Sequence, residues 1–151
     1  MRPEDFYSSH FTLAELTASR AARTRNLDNT PSREAVECLQ RLCTSVLEPL
    51  RADLRAFTHL DLPLIVTSGY RSDAVNRAVG GSYRSAHLFG RAADVVCTSA
   101  AYTRTLLGIA LARIGDLPID QLIAERTDVH GVPSWIHIAW ARQPRHQFLK
   151  T

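Results

Sequence analysis

The stretch that most constrains this chain is Ser85-Ala86-His87-Leu88-Phe89-Gly90-Arg91-Ala92-Ala93-Asp94, which runs straight into Val95-Val96-Cys97. Residues Ala92 to Cys97 are apolar and rich in β-branched side chains, the pattern of a short buried strand, and only Asp94 interrupts them. A carboxylate in such a strand is costly unless it is paired, hydrogen-bonded or bound to a metal. Gly90 permits a sharp bend, so His87 can fold back beside Asp94. Further on, Ser134-Trp135-Ile136-His137-Ile138-Ala139-Trp140 sets a second histidine in another strand-like alternation. Taken singly these residues have bland explanations, since a histidine in a strand is often only a satisfied core group. Taken together, two imidazoles and one carboxylate on separate segments make a ligand set suited to a catalytic zinc ion, with a fourth position left for water.

The rest of the composition narrows the setting. A chain of 151 residues fits one domain, residues 1–151. Its apolar runs fall far short of the roughly 20 residues that cross a bilayer, so no membrane span is expected. Met1-Arg2-Pro3-Glu4-Asp5 leads into no apolar signal segment. The expectation is a cytoplasmic protein that reaches any external substrate by export or lysis. The net charge of +3 is spread over scattered arginines such as Arg20, Arg41 and Arg55, without a dense patch, so no nucleic-acid partner is expected. Cys38, Cys43 and Cys97 have no metal-site spacing and read as small hydrophobes.

Along the chain, Thr12 and Glu15 form a capping box that opens a first helix, with Phe11 stapled onto Leu16. Arg20 to Asn29 is polar and reads as irregular. A long helix from about Pro31 to Phe57, capped by Thr30, places Val36, Leu39, Cys43, Val46, Leu50 and Leu54 on one face, and Pro49 should kink or break it near Val46. Leu62 to Thr67 reads as a short buried strand, and Ser72 caps a short helix that ends at Gly80-Gly81. Ser99 opens a helix with Leu106, Leu107, Ala110, Leu111 and Ile114 turned inward. Asp120 to Glu125 alternates as a half-buried strand, and the turn Asp128 to Pro133 joins it to the Trp135–Trp140 strand. The tail from Arg142 is polar and without pattern. Helices thus come first and flank a small, mainly antiparallel sheet, an α+β domain.

Three elements in order now carry a resemblance. Ser85 to Asp94 fits Ser-x-His-x-x-Gly-x-Ala-x-Asp, Ser68-Gly69-Tyr70-Arg71-Ser72 lies upstream, and Trp135-Ile136-His137 lies downstream. Together they resemble the zinc D-Ala-D-Ala carboxypeptidase family, which includes phage L-alanyl-D-glutamate endolysins and shares the hedgehog/D,D-peptidase fold. The resemblance implies that fold, one zinc ion held by His87, Asp94 and His137, and hydrolysis of peptidoglycan peptides by a monomer, with a phage or prophage origin in keeping. It further implies that Arg71 stabilises the oxyanion or binds a substrate carboxylate, that Ser85 hydrogen-bonds the substrate, and that Tyr70 walls the pocket. Many members carry an acidic general base three residues before the last histidine, where this chain has Ser134. The strand hairpin instead offers Glu125 as the base, with Asp120 and Asp128 as weaker candidates. The rival reading is a non-catalytic, metal-stabilised module that binds wall peptides without cutting them.

Overall fold

Helix starts in this chain follow the capping side chains closely. In the computed structural model, which describes residues 1–151, the Thr12 hydroxyl accepts from the Glu15 N–H and the Glu15 carboxylate accepts from the Thr12 N–H. This capping box opens α1, Leu13–Thr17, and buries both Phe11 and Leu16. The polar segment expected to be irregular contains a second short helix, α2, Arg20–Thr24, because Ser19 caps it through the Ala22 N–H. Ser32 rather than Thr30 caps α3, Arg33–Leu42, by accepting from the Ala35 N–H.

Pro49 interrupts the regular helical bonding without ending the helical run. The chain passes from α3 through one wide π turn, Cys43–Leu47, into α4, Glu48–Thr58. The residue four before Pro49 is Ser45, whose carbonyl a proline ring would strike in a regular helix. The wide turn falls on that carbonyl and relieves the clash. Val36, Leu39, Cys43, Val46, Leu50 and Leu54 are all fully buried along this face.

Five strands complete an α+β fold: β1 (Ile65–Ser68), β2 (Ala92–Val96), β3 (Ile119–Glu125), β4 (Trp135–Trp140) and β5 (Gln147–Lys150). Their order is β1-β2-β4-β3-β5, antiparallel throughout except for β3 with β5. Strand β1 is an edge strand with Ile65 exposed, where the sequence suggests a buried one. The patternless tail supplies β5, the other edge. Helix α5 (Asp73–Ala78) is capped by Ser72 and α6 (Ala100–Arg113) by Ser99, as expected, although Leu111 on α6 is exposed.

Strand alternation gives the sheet two different faces. Ala93, Val95, Leu122, Ala124, Ile136 and Ile138 are buried on one, and helices α3 and α6 pack against β4. Asp94 stands directly across from His137, His137 from Ile123, and Glu125 from Trp135. Cross-strand partners share a face, so these residues all project to the other side.

His87 arrives from the 3-10 helical turn Ala86–Phe89, which ends at Gly90. Gly90 has φ 70°, and a Cβ there would collide with the Ala35 carbonyl of α3. Gly90→Ala should therefore lower the unfolding free energy by at least about 1–2 kcal/mol, the cost of a left-handed backbone alone. Urea denaturation measures this, and an unchanged midpoint would mean that the turn is free to relax.

Candidate metal centre

The His87 ring is fixed by its surroundings before any ligand is considered. Ser85 caps its turn by accepting the His87 N–H at 3.2 Å. His87 Nδ1 lies 2.7 Å from the Gly69 carbonyl oxygen, which can only accept, so Nδ1 carries the hydrogen. Gly69 must be glycine here, because a Cβ would run into the Leu16 carbonyl. The remaining nitrogen, Nε2, is buried and has no hydrogen-bond partner. It sits 3.2 Å from Asp94 Oδ1, close but not aligned as a hydrogen bond.

His137 Nδ1 lies 3.0 Å from the same Asp94 oxygen, and the two imidazole rings meet edge to face with centroids 5.0 Å apart. One ligating atom from each of the three residues falls within 4.8 Å of the others. Exposure is only 2% for His87, 8% for Asp94 and 9% for His137. Burial pushes the Asp94 carboxyl up, but the hydrogen bond from His137 and the close approach of the His87 ring outweigh it and hold the group well below the usual carboxylate range. With Nδ1 committed to the Gly69 carbonyl, His87 turns its other ring nitrogen toward a carboxylate oxygen, a pair that a cation between them would bridge. The Gly69 carbonyl supplies the outer hydrogen bond that commonly orients a metal-bound histidine. The residues present fit a divalent metal ion.

Arg71 is held beside this group by three separate contacts. Its backbone N–H donates to the His87 carbonyl at 3.0 Å. Nε donates to the Ser68 hydroxyl at 3.2 Å, and Nη1 donates to Asn76 Oδ1 at 3.2 Å. Nη2 is left 3.7 Å from Asp94 Oδ2. Burial lowers the Arg71 pKa from its ordinary value, and the Asp94 charge opposes that shift. Asn76 is a site residue that sequence reasoning misses: it is buried on α5, and its Nδ2 donates to the Ser82 carbonyl. Its one signal in the sequence is an amide directly after the core residue Val75.

Above these side chains lies a cleft of about 540 Å³, and Arg71, Ser85, His87, Asp94, Glu125 and His137 all line it. The structure therefore brings together six of the seven residues expected from the sequence. Tyr70 is the exception. It is buried in the core and lines a separate, smaller hollow with Ala18 and Val75, so it is not a wall of this cleft. Glu125 Oε2 accepts from the Thr151 hydroxyl at 2.9 Å. Ser134 closes the hairpin instead, donating its N–H to the Glu125 carbonyl and its hydroxyl to the Arg126 carbonyl. The two weaker carboxylates are both engaged: Asp120 grips Arg145 through Nε and Nη2, and Asp128 accepts the His130 and Val132 N–H groups.

Comparison with known proteins bears on this centre directly. Residues 9–114 match the model of a family described as peptidase M15. The match takes in Arg71, Ser85, His87 and Asp94, while β3 and β4, with Glu125 and His137, lie beyond it. No curated protein matches the chain. No helix is long and apolar enough to cross a membrane. With more than half its length matched and the buried His-Asp-His group in place, the chain belongs to the peptidase M15 family of metallopeptidases.

Proposed function

We propose that the protein is a zinc peptidase that hydrolyses peptidoglycan peptides, as a D,D-carboxypeptidase or an endolysin-type endopeptidase acting at the cell wall. The observation that carries this reading is the unpartnered His87 Nε2, buried against Asp94 beneath a cleft that also holds a guanidinium and a second carboxylate. His87, Asp94 and His137 hold the metal, and three protein ligands are the usual number for a catalytic zinc. Zinc bound there supplies Lewis-acid polarisation of the scissile carbonyl and makes water at the site more acidic.

The protein's own groups do the rest. Glu125 takes the proton of the attacking water and hands it to the leaving amine. It stands diagonal to His137 across β3 and β4, positions about 7–8 Å apart in an antiparallel pair, a span that a glutamate can close through one water. Arg71, tethered through Nε and Nη1, presents Nη2 to the negative charge that develops on the carbonyl oxygen, or to a substrate carboxylate. The Ser85 hydroxyl oxygen accepts from His87, which leaves its proton for a substrate carbonyl. A carboxylate and a tethered guanidinium in one cleft with the candidate metal ligands are the groups that peptide hydrolysis needs, which favours the enzyme over a non-catalytic binding module.

The metal assignment predicts one zinc per chain by elemental analysis, lost in His87→Ala. Stoichiometric zinc in an Asp94→Ala, His137→Ala double variant would place the ligands elsewhere. Digestion of defined muropeptides, followed by mass spectrometry, tests the activity and identifies the bond. Glu125→Gln should lower kcat by about 10²–10⁴-fold with zinc retained. Arg71→Lys should lower kcat substantially at unchanged zinc content, because an ammonium cannot reproduce the guanidinium fork. Zinc-loaded protein that binds wall peptides and releases no product would favour the binding module.

A further inference from the structure

The hydroxyl of Thr151 makes two hydrogen bonds, and one of them goes to the proposed general base. Strand β5 pairs in parallel with β3, with Lys150 opposite Ala124, and so delivers Thr151 to the end of β3 where Glu125 stands. The backbone on either side is pinned: the Thr151 N–H donates to the Ala124 carbonyl at 2.9 Å, and the Thr151 carbonyl accepts from the Thr127 N–H at 2.8 Å. Arg126, directly after Glu125, takes a left-handed conformation with φ 46°. Its N–H donates to the Thr151 hydroxyl oxygen at 3.0 Å. A hydroxyl has one proton to give. With its oxygen engaged by Arg126, Thr151 directs that proton to Glu125 Oε2 at 2.9 Å.

We infer that Thr151 is a positioning residue, which fixes the Glu125 carboxylate by one oxygen and leaves the other to work in the cleft. The inference rests on the reading of Glu125 as the base. A glutamate half-exposed at a strand end has several rotamers open to it, and proton transfer needs one of them. A hydrogen bond from a hydroxyl that is itself held by the backbone selects that rotamer without touching the substrate. The parallel strand β5 thus acquires a catalytic purpose: it anchors the donor.

The test compares Thr151→Val, which keeps shape and loses the donor, with Thr151→Ser, which keeps the donor. Thr151→Val should lower kcat about ten-fold, equivalent to about 1.4 kcal/mol, with KM, zinc content and thermal midpoint unchanged. Thr151→Ser should restore the rate. In the metal-free protein the carboxyl carbon resonance of Glu125 should move in Thr151→Val and return in Thr151→Ser. On a Glu125→Gln background, Thr151→Val should cost nothing further. Equal losses in the valine and serine variants, or an additional loss on the Gln background, would overturn the inference and leave Thr151 a structural residue. So would a Thr151→Val rate within two-fold of the parent when Glu125→Gln is inactive. If Glu125→Gln itself keeps the parental rate, the base assignment falls first and the inference goes with it.

Discussion

The carboxylate of Asp94 is the constraint that the rest of this structure serves. It lies in a central strand, 8% exposed, where an unpaired charge is prohibitively expensive. Three elements converge to offset that cost: the turn just before the strand, which carries His87, the strand carrying His137, and the loop carrying Arg71. Removing one partner from a buried ion pair typically costs about 3–5 kcal/mol, because the other charge is left uncompensated. The elements that compensate Asp94 are also those that would hold a metal and act on a substrate. Stability and chemistry therefore draw on the same contacts.

The apolar face of the sheet sets the geometry of the polar one. Ala93 and Val95 on β2, and Ile136 and Ile138 on β4, are all buried, and each stands across from a member of the other pair. A slip of β4 by one residue would turn Ile136 and Ile138 into the cleft and His137 into the core. Each misplaced isoleucine would forfeit about 1.5–3 kcal/mol of burial. The cross-strand pairing of Asp94 with His137 is thus enforced by core packing on the opposite side, where no catalytic group lies. Gly69 and Gly90 do the same for His87, since each lets backbone approach a helix that any side chain would push away.

How much of this was legible in the sequence depended on whether the cause was local. The capping residues Thr12, Ser72 and Ser99 act over three positions, so each is readable from the sequence alone. The clustering of His87, Asp94 and His137 was legible because a charged residue in an apolar strand demands a partner. Strand β5 was not, because Gln147–Lys150 is a strand only through its parallel pairing with β3, more than twenty residues away. Tyr70 was misplaced because a motif gives the order of residues and not the side to which each one turns. Its neighbour Arg71 enters the cleft, and Tyr70 turns to the core, its N–H donating to the Leu16 carbonyl. Leu111 fell on the wrong side for a related reason: α6 is apolar around much of its circumference, so periodicity alone does not choose its inner face.

The serine at position 134 raises a geometric question that the hairpin answers. Ser134 is the residue just before β4, and its N–H donates to the Glu125 carbonyl. Glu125 in turn stands across from Trp135, one position further along. The two positions are therefore neighbours at the same end of the same hairpin, Glu125 at the end of β3 and Ser134 just before β4. On the proposed reading the base is supplied from 125, on the strand facing β4 and on the side of the sheet to which His137 projects. The main chain at 125 pairs with β4 on one edge of β3, and the other edge is open to a further strand. The strand that fills that edge is β5, and the residue it brings into reach of Glu125 carries a hydroxyl.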